Sequence, residues 1–310
     1  MRFATLDIGT NTILLLVSEM DANGALVPVE EHATITRLGE GVDKTRTLAP
    51  AAIERALACI DSYKGILERL GATTIAVVGT SAMRDAEGGE GFRHAIQERL
   101  GVEPRVISGE EEARLTFRGA LSGIQVAGDR PVTVFDIGGG STEIVHGTRD
   151  PFDIRYAHSA DIGSVRLTER HITKDPPTRE QLAAVSADAH QTLAAIPAFN
   201  PDPNTMLVGI AGTVTTYASV ALGLKTYDAA RVHGRVMSRS TLETELLRMA
   251  RMPLEERRNV VGLEPKRADV ILAGGLIALA LLDRLRKTSF VVSDRGVRWG
   301  LAEELAAAAR

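Results

Sequence analysis

The sequence predicts an α/β fold built as two domains, on three observations. Strand-like and helix-like stretches alternate along most of its 310 residues, the pattern of sheets covered by helices. The chain is longer than one hydrophobic core usually supports. One phrase also occurs twice: Leu6-Asp7-Ile8-Gly9-Thr10-Asn11-Thr12-Ile13 near the start, and Phe135-Asp136-Ile137-Gly138-Gly139-Gly140-Ser141-Thr142-Glu143 near the middle. Each reads as a strand, an Asp-Ile-Gly turn and a second strand, so each domain is expected to open on a strand meander.

The elements follow in order. Residues 3–7 and 12–19 form a predicted hairpin around the first turn, and 25–37 a third strand. Residues 51–70 carry Ile53, Leu57, Ile60, Lys64 and Leu67 at helical spacing, with Gly71 behind as a C-cap. A short β-branched strand covers 74–78. A second helix ends at Leu100 before Gly101, and the phrases Leu67-Glu68-Arg69-Leu70-Gly71 and Gln97-Glu98-Arg99-Leu100-Gly101 repeat one stop signal. Residues 105–107 read as a strand and 110–123 as a helix with a stripe through Ala113, Thr116, Phe117, Ala120, Leu121 and Ile124. Residues 123–131 are polar and turn-rich, a predicted hinge, with a second crossing near Ser293. In the second half, 152–159 is a third strand. Helices follow at 161–171 and 178–196, the latter opening on a Thr178/Gln181 capping-box spacing. Residues 206–210 are a strand running into the Ala211-Gly212-Thr213 turn. Helices at 240–251 and 266–286, a strand at 291–292 and a terminal helix complete the chain. The domains are expected at 1–124, joined by the C-terminal helix of about 295–310, and at 125–294.

Composition narrows the function. Hydrophobic residues make up 44% and charged residues 25%, an ordinary soluble balance. A net charge of -4 gives no basic surface for nucleic acid. One cysteine, Cys59, forms no internal disulfide and fits the reducing cytoplasm. No signal-peptide pattern opens the sequence. The apolar run from Val270 to Leu282 is too short to cross a bilayer and reads as a buried helix. The histidines lack zinc-ligand spacing. Trp299 and Cys59 are expected in the core, His233 in a turn, and the basic residues of 251–258 and 266–287 on a solvated face.

The chemistry resides in the two turns. Glycines let backbone N–H groups approach phosphate oxygens closely. Donors are expected from Gly9, Thr10, Asn11 and Thr12, from Gly138, Gly139, Gly140, Ser141 and Thr142, and from Gly212 and Thr213. Asp7, Asp136 and Glu143 are hard oxygen ligands suited to Mg²⁺ or Mn²⁺. Asp7 and Asp136, at matching strand ends, would reach one metal from two domains across a cleft; alternatively each Asp caps its own tight turn. Of Glu110, Glu111 and Glu112, Glu111 would close a capping box with Ser108 and Glu110 would suit the helix dipole. Glu112 has no such structural role.

The two turns and the Ala211-Gly212-Thr213 turn resemble the phosphate and nucleotide loops of the acetate kinase, sugar kinase, Hsp70 and actin superfamily. Four further phrases resemble the exopolyphosphatase / guanosine pentaphosphate phosphohydrolase family: Gly79-Thr80-Ser81-Ala82-Met83-Arg84-Asp85-Ala86, Ile107-Ser108-Gly109-Glu110-Glu111-Glu112-Ala113-Arg114-Leu115, Lys266-Arg267-Ala268-Asp269 and Ser293-Asp294-Arg295-Gly296-Val297-Arg298-Trp299-Gly300. The resemblance spans nearly the whole chain and implies a short member with two actin-like (ribonuclease H-like) domains and an inter-domain cleft that closes on ligand. It makes Glu112 the general base for the attacking water and Arg84 a phosphate contact, with Arg267 and Arg295 as weaker basic candidates. It implies removal of terminal orthophosphate from inorganic polyphosphate, with Mg²⁺ or Mn²⁺ and a monovalent cation as a further candidate. The alternatives are hydrolysis of guanosine pentaphosphate, a superfamily kinase, and a non-catalytic alarmone-binding module. A homodimer is compatible with the apolar helical faces.

Overall fold

The computed structural model describes residues 1–22, 24, 26–87, 89–197 and 201–309. Two compact units divide the chain: Met1–Gly119 with Gly296–Arg310, and Ala120–Arg295.

The first unit is led by the predicted meander β1 (Arg2–Ile8), β2 (Thr12–Met20) and β3 (Leu26–Ile35), whose expected first residue, Ala25, lies outside the described residues. After α1 (Val42–Thr45) and α2 (Pro50–Leu70), strand β4 (Thr74–Gly79) pairs parallel with β1. Then come α3 (Ser81–Asp85), α4 (Glu90–Leu100), β5 (Arg105–Val106) and α5 (Gly109–Ala120). The sheet order is β3-β2-β1-β4-β5. The repeated stop signal works as read: Gly71 (φ 62°) and Gly101 (φ 70°) end α2 and α4 in the left-handed region. On one face of the sheet Leu6, Ile13 and Leu15 pack with Ile60, Tyr63, Phe92 and Ile96. On the other, Val78, Ile107 and Leu115 meet Val297 and Leu301 of the C-terminal helix (Val297–Ala308). Trp299 is fully buried in that layer against Leu16, as expected. That helix also sets the position of α5: a Cβ added to Gly300 would stand 2.1 Å from the Leu115 carbonyl oxygen, so only glycine permits so close a crossing.

The second unit repeats the plan. Its meander is β6 (Val132–Ile137), β7 (Thr142–Thr148) and β8 (Asp153–Ala160). Helices α6 (Ser164–His171) and α7 (Arg179–Ala195) follow, then β9 (Met206–Ile210), parallel to β6. After β9 come α8 (Ala211–Ala221), α9 (Ala229–Val232), β10 (Val236–Ser238), α10 (Arg239–Ala250), α11 (Leu254–Arg257), α12 (Ile271–Arg284) and β11 (Ser289–Val292). The sheet order is β10-β11-β9-β6-β7-β8. The capping box at Thr178 and Gln181 is present in both directions. The apolar run forms the buried α12, and no helix among the described residues is long and apolar enough to cross a membrane.

Three readings are corrected. The Ala211-Gly212-Thr213 segment is the first turn of α8, because Ala211 adopts a left-handed φ of 68° that turns β9 straight into the helix. The helix expected at 266–286 begins at Ile271; a 3₁₀ turn, Pro265–Arg267, precedes it and carries Arg267 to Gly212. The basic residues of 251–258 are not all solvated. Arg257 is buried, and donates from Nε to the Met249 carbonyl (3.1 Å), from Nη1 to Ala268 (2.9 Å) and from Nη2 to Met252 (2.9 Å). A buried guanidinium needs such acceptors, and two nearby helix ends supply them.

Candidate active site

In each unit the predicted residues gather at the carboxyl edge of the parallel strands, where α/β sheets bind ligands. In the first unit β1, β4 and β5 end side by side: Ile8 pairs with Gly79, and Gly79 with Val106. Asp7 lies at the end of β1, opposite Leu14 of β2, and is buried. Arg84 leaves β4 on α3, and Glu112 leaves β5 on α5. Adjacent strand ends bring them together: Arg84 Nη1 donates to Glu112 Oε2 at 3.0 Å and to the Ile107 carbonyl at 3.1 Å. Glu112 is only 6% exposed. The Asp85 carboxylate stands farther off, 3.9 Å from Arg84 Nε. Of the capping box expected on α5, one half exists. The Glu111 amide donates to Ser108 Oγ at 3.1 Å, but the Glu111 carboxylate pairs with Arg105 instead of turning back. A full guanidinium charge outcompetes a single backbone N–H for that carboxylate.

Loop 1, residues 9–12, is closed by Gly9 N–H donating to the Thr12 carbonyl at 3.1 Å. Segment 36–39 holds it from outside: Gly39 donates to the Thr10 carbonyl (2.8 Å), while Thr36 and Arg37 both donate to that of Asn11 (3.0 Å). Arg55 of α2 in turn fixes that segment, its Nε donating to the Thr36 carbonyl at 2.8 Å.

Loop 2, residues 138–141, has the same closure, from Gly138 N–H to the Ser141 carbonyl at 3.0 Å. Asp136 lies directly across the β6–β7 pair from Glu143, and Glu143 across β7–β8 from Ser159. Directly paired residues share a sheet face, so the two carboxylates are neighbours. Ser159 Oγ donates to Glu143 Oε1 at 2.7 Å, and Glu143 is 1% exposed. Gly212 and Thr213 open α8 beyond the end of β9, next to β6. A Cβ on Gly212 would stand 2.1 Å from Arg267 Nη1, so the guanidinium lies directly on this turn. Arg267 Nη1 also reaches Thr216 Oγ1 at 3.3 Å, and Arg295 Nη1 donates to Ser122 Oγ at 2.9 Å. His233 closes α9, its Nδ1 2.9 Å from Asp294 Oδ1.

Among the described residues no group of three or more His, Cys, Asp and Glu is arranged to hold a metal by itself. Mg²⁺ takes one or two carboxylates and completes its shell with phosphate oxygens and water. Asp136 and Glu143, paired directly across β6–β7, are hard oxygen donors of the kind such an ion takes. Asn11 Oδ1 is buried in loop 1 with no hydrogen-bond partner among the described residues.

Sequence reading missed Ser159, the Ile107 carbonyl, and the segments 36–39 and 163–166 behind the loops. One signal was available: each meander is followed by a glycine, Gly39 and Gly163, ahead of a polar stretch.

The profile of the Ppx/GppA phosphatase family matches residues 16–308. Exopolyphosphatase 2 of Mycobacterium tuberculosis is 37% identical over 321 residues, covering 98% of each chain. A guanosine-5'-triphosphate,3'-diphosphate pyrophosphatase of Vibrio atlanticus is 28% identical, over 98% of this chain and 59% of its own. A solved exopolyphosphatase-like protein superposes with a TM-score of 0.93 at 34% identity, covering 100% of both chains.

Proposed function

Since the chain belongs to the Ppx/GppA phosphatase family, we propose that it is an exopolyphosphatase, removing terminal orthophosphate from linear inorganic polyphosphate. One observation carries the site assignment: the buried Glu112 carboxylate, fixed by Arg84 at the strand edge that also carries Asp7 and loop 1. Hydrolysis of a phosphoanhydride is mainly positioning and charge neutralisation. In this reading Glu112 accepts a proton from water as the water oxygen bonds to the terminal phosphorus. The anhydride oxygen leaves with the shortened chain, and orthophosphate departs. Arg84 holds Glu112 in place and contributes its guanidinium charge to the phosphate. The loop amides and the Gly212-Thr213 turn bind phosphate oxygens. Asp136 and Glu143 in the second unit, or Asp7 in the first, would hold Mg²⁺, which when bound neutralises phosphate charge.

Guanosine pentaphosphate presents the same bond, and the Vibrio atlanticus relative keeps it as a second reading. The longer, closer match to the exopolyphosphatase puts polyphosphate first. Orthophosphate release from the two substrates, measured side by side, decides between them. The cytoplasm, where Cys59 stays reduced, is the compartment we assign.

Glu112→Gln tests the base. Orthophosphate release should fall by about 10²–10⁴-fold with thermal unfolding unchanged. A variant that folds and keeps wild-type turnover refutes the assignment.

A further inference from the structure

The phosphate-facing side of loop 2 depends on a residue outside it. Segment 163–166 caps three successive carbonyls of the loop. Ser164 donates to Gly138 O from its N–H (2.9 Å) and its Oγ (3.2 Å). Val165 and Arg166 N–H both donate to Gly139 O, at 2.9 and 3.1 Å. Arg166 Nε donates to Gly140 O at 2.6 Å. In a trans peptide the C=O of one residue and the N–H of the next point in opposite directions. Carbonyls 138, 139 and 140 are turned toward α6, so the amides of Gly139, Gly140 and Ser141 point away from it. Three consecutive N–H groups presented on one side are an anion nest.

The first two carbonyls are held mainly by backbone groups, which any sequence supplies. The third is held by a side chain. Arg166 is 6% exposed, so its guanidinium charge sits behind the loop in a low-dielectric setting, where hydrogen-bonded groups polarise one another. Gly140 C=O and Ser141 N–H belong to one peptide group. A charged donor on the carbonyl therefore makes that amide a stronger donor on the opposite side.

We propose that Arg166 is a positioning residue for substrate: it fixes the Gly140–Ser141 peptide and strengthens the Ser141 amide as a phosphate donor. The inference rests on the reading of loop 2 as a phosphate loop. A loop amide that grips phosphate equally before and during the reaction contributes uniform binding, which appears in KM and not in kcat.

The test combines kinetics with amide resonances. In protein carrying Glu112→Gln to prevent turnover, tripolyphosphate with Mg²⁺ should shift the amide signals of Gly139, Gly140 and Ser141. In otherwise wild-type protein, Arg166→Met should raise KM for polyphosphate about tenfold, the scale of one hydrogen bond to a charged group, with kcat nearly unchanged. It should also move the ligand-free Ser141 amide signal upfield. Arg166→Lys, which keeps a charged donor, should recover part of both changes; it is the working variant if Arg166→Met does not fold. Unchanged KM and Ser141 signal in a folded Arg166→Met, or wild-type values in Arg166→Lys when only that variant folds, overturn the role of Arg166 while leaving the loop reading intact. Loop amides that ignore tripolyphosphate even with Arg166 present overturn the loop reading itself, and this inference with it.

Discussion

Asp7 and Asp136 occupy the same place in their sheets, and the strands beside them respond differently. Across from Asp7 stands Leu14, and beyond it Ala33. Across from Asp136 stands Glu143, and beyond it Ser159. One row is a single carboxylate on an apolar floor; the other is a carboxylate pair with a hydroxyl supporting it. The loops above them differ in the same sense. Segment 36–39 holds loop 1 through backbone amides, whereas a helix start and a buried guanidinium hold loop 2. The repeat therefore preserves geometry and divides the chemistry. The second unit carries the cross-strand carboxylates Asp136 and Glu143, and the first carries the ionic pair of Arg84 and Glu112.

The sharpest test of that division is metal dependence. Asp136→Asn should cut the rate by about 10²-fold or more, since a divalent ion supplies several kcal/mol of charge stabilisation. The Mg²⁺ concentration for half-maximal rate should rise about tenfold or more. Asp7→Asn should lose activity with a smaller shift in Mg²⁺ requirement, because no second carboxylate lies across from it. Titrating Mg²⁺ against rate for both variants checks this; equal shifts would erase the contrast between the rows.

A smaller effect separates the supports behind the loops. A Cβ on Gly163 would lie 2.3 Å from the Gly139 carbonyl oxygen and 2.4 Å from its carbon, both backbone atoms. A Cβ on Gly39 would lie 2.2 Å from Thr10 Cγ2, a side-chain methyl that can turn aside. Gly163→Ala should thus cost ~1–3 kcal/mol of stability and raise KM by displacing loop 2, with Gly39→Ala milder on both counts. Urea unfolding and KM for the pair measure it; equal penalties would show that both supports are equally rigid.

What the sequence made legible has a physical pattern. The Asp-Ile-Gly phrases were readable because strand, turn and strand are contiguous, spanning Arg2–Met20 and Val132–Thr148, where local chemistry decides the conformation. Glu112 stood out once Ser108 and Glu111 accounted for the helix start; only the Ser108 half of that box is present, the Glu111 carboxylate going to Arg105. Arg166 and Ser159 could not be found this way, since their partners, Gly140 and Glu143, lie 26 and 16 residues away and meet them only through the meander's fold. Arg257 was misread for the same reason. On its own helix it looks solvated, and only the helix ends packed around it turn it into a buried donor. The opening of α8 was read as a turn; Gly212 and the threonines after it are poor helix formers, and tertiary contact with Arg267 and α12 overrides that preference.

The smallest expected effect lies deeper in the same strands, at a pair in identical register. Ala4 faces Val17 in the first unit, and Thr133 faces His146 in the second. Thr133 Oγ1 and His146 Nδ1 are 3.0 Å apart. Burial, with Arg155 nearby as a secondary cause, holds the His146 pKa below its ordinary value. The unfolded chain, with an ordinary histidine near pH 6.5, therefore takes up the proton first. As pH falls through that value the unfolded state gains a proton that the folded state resists, so stability falls. Above about pH 7.5 both states are neutral at this site and it adds no pH dependence. Replacing the pair with its counterpart from the first unit, Thr133→Ala with His146→Val, removes this titration and leaves the others in place. Relative to wild type, the variant should gain stability steadily between pH 7.5 and 5.5 in urea unfolding, whatever its offset at pH 7.5. A difference that stays constant with pH would mean that His146 binds its proton equally well folded and unfolded, and that at this pair the two units do not differ in their response to acid.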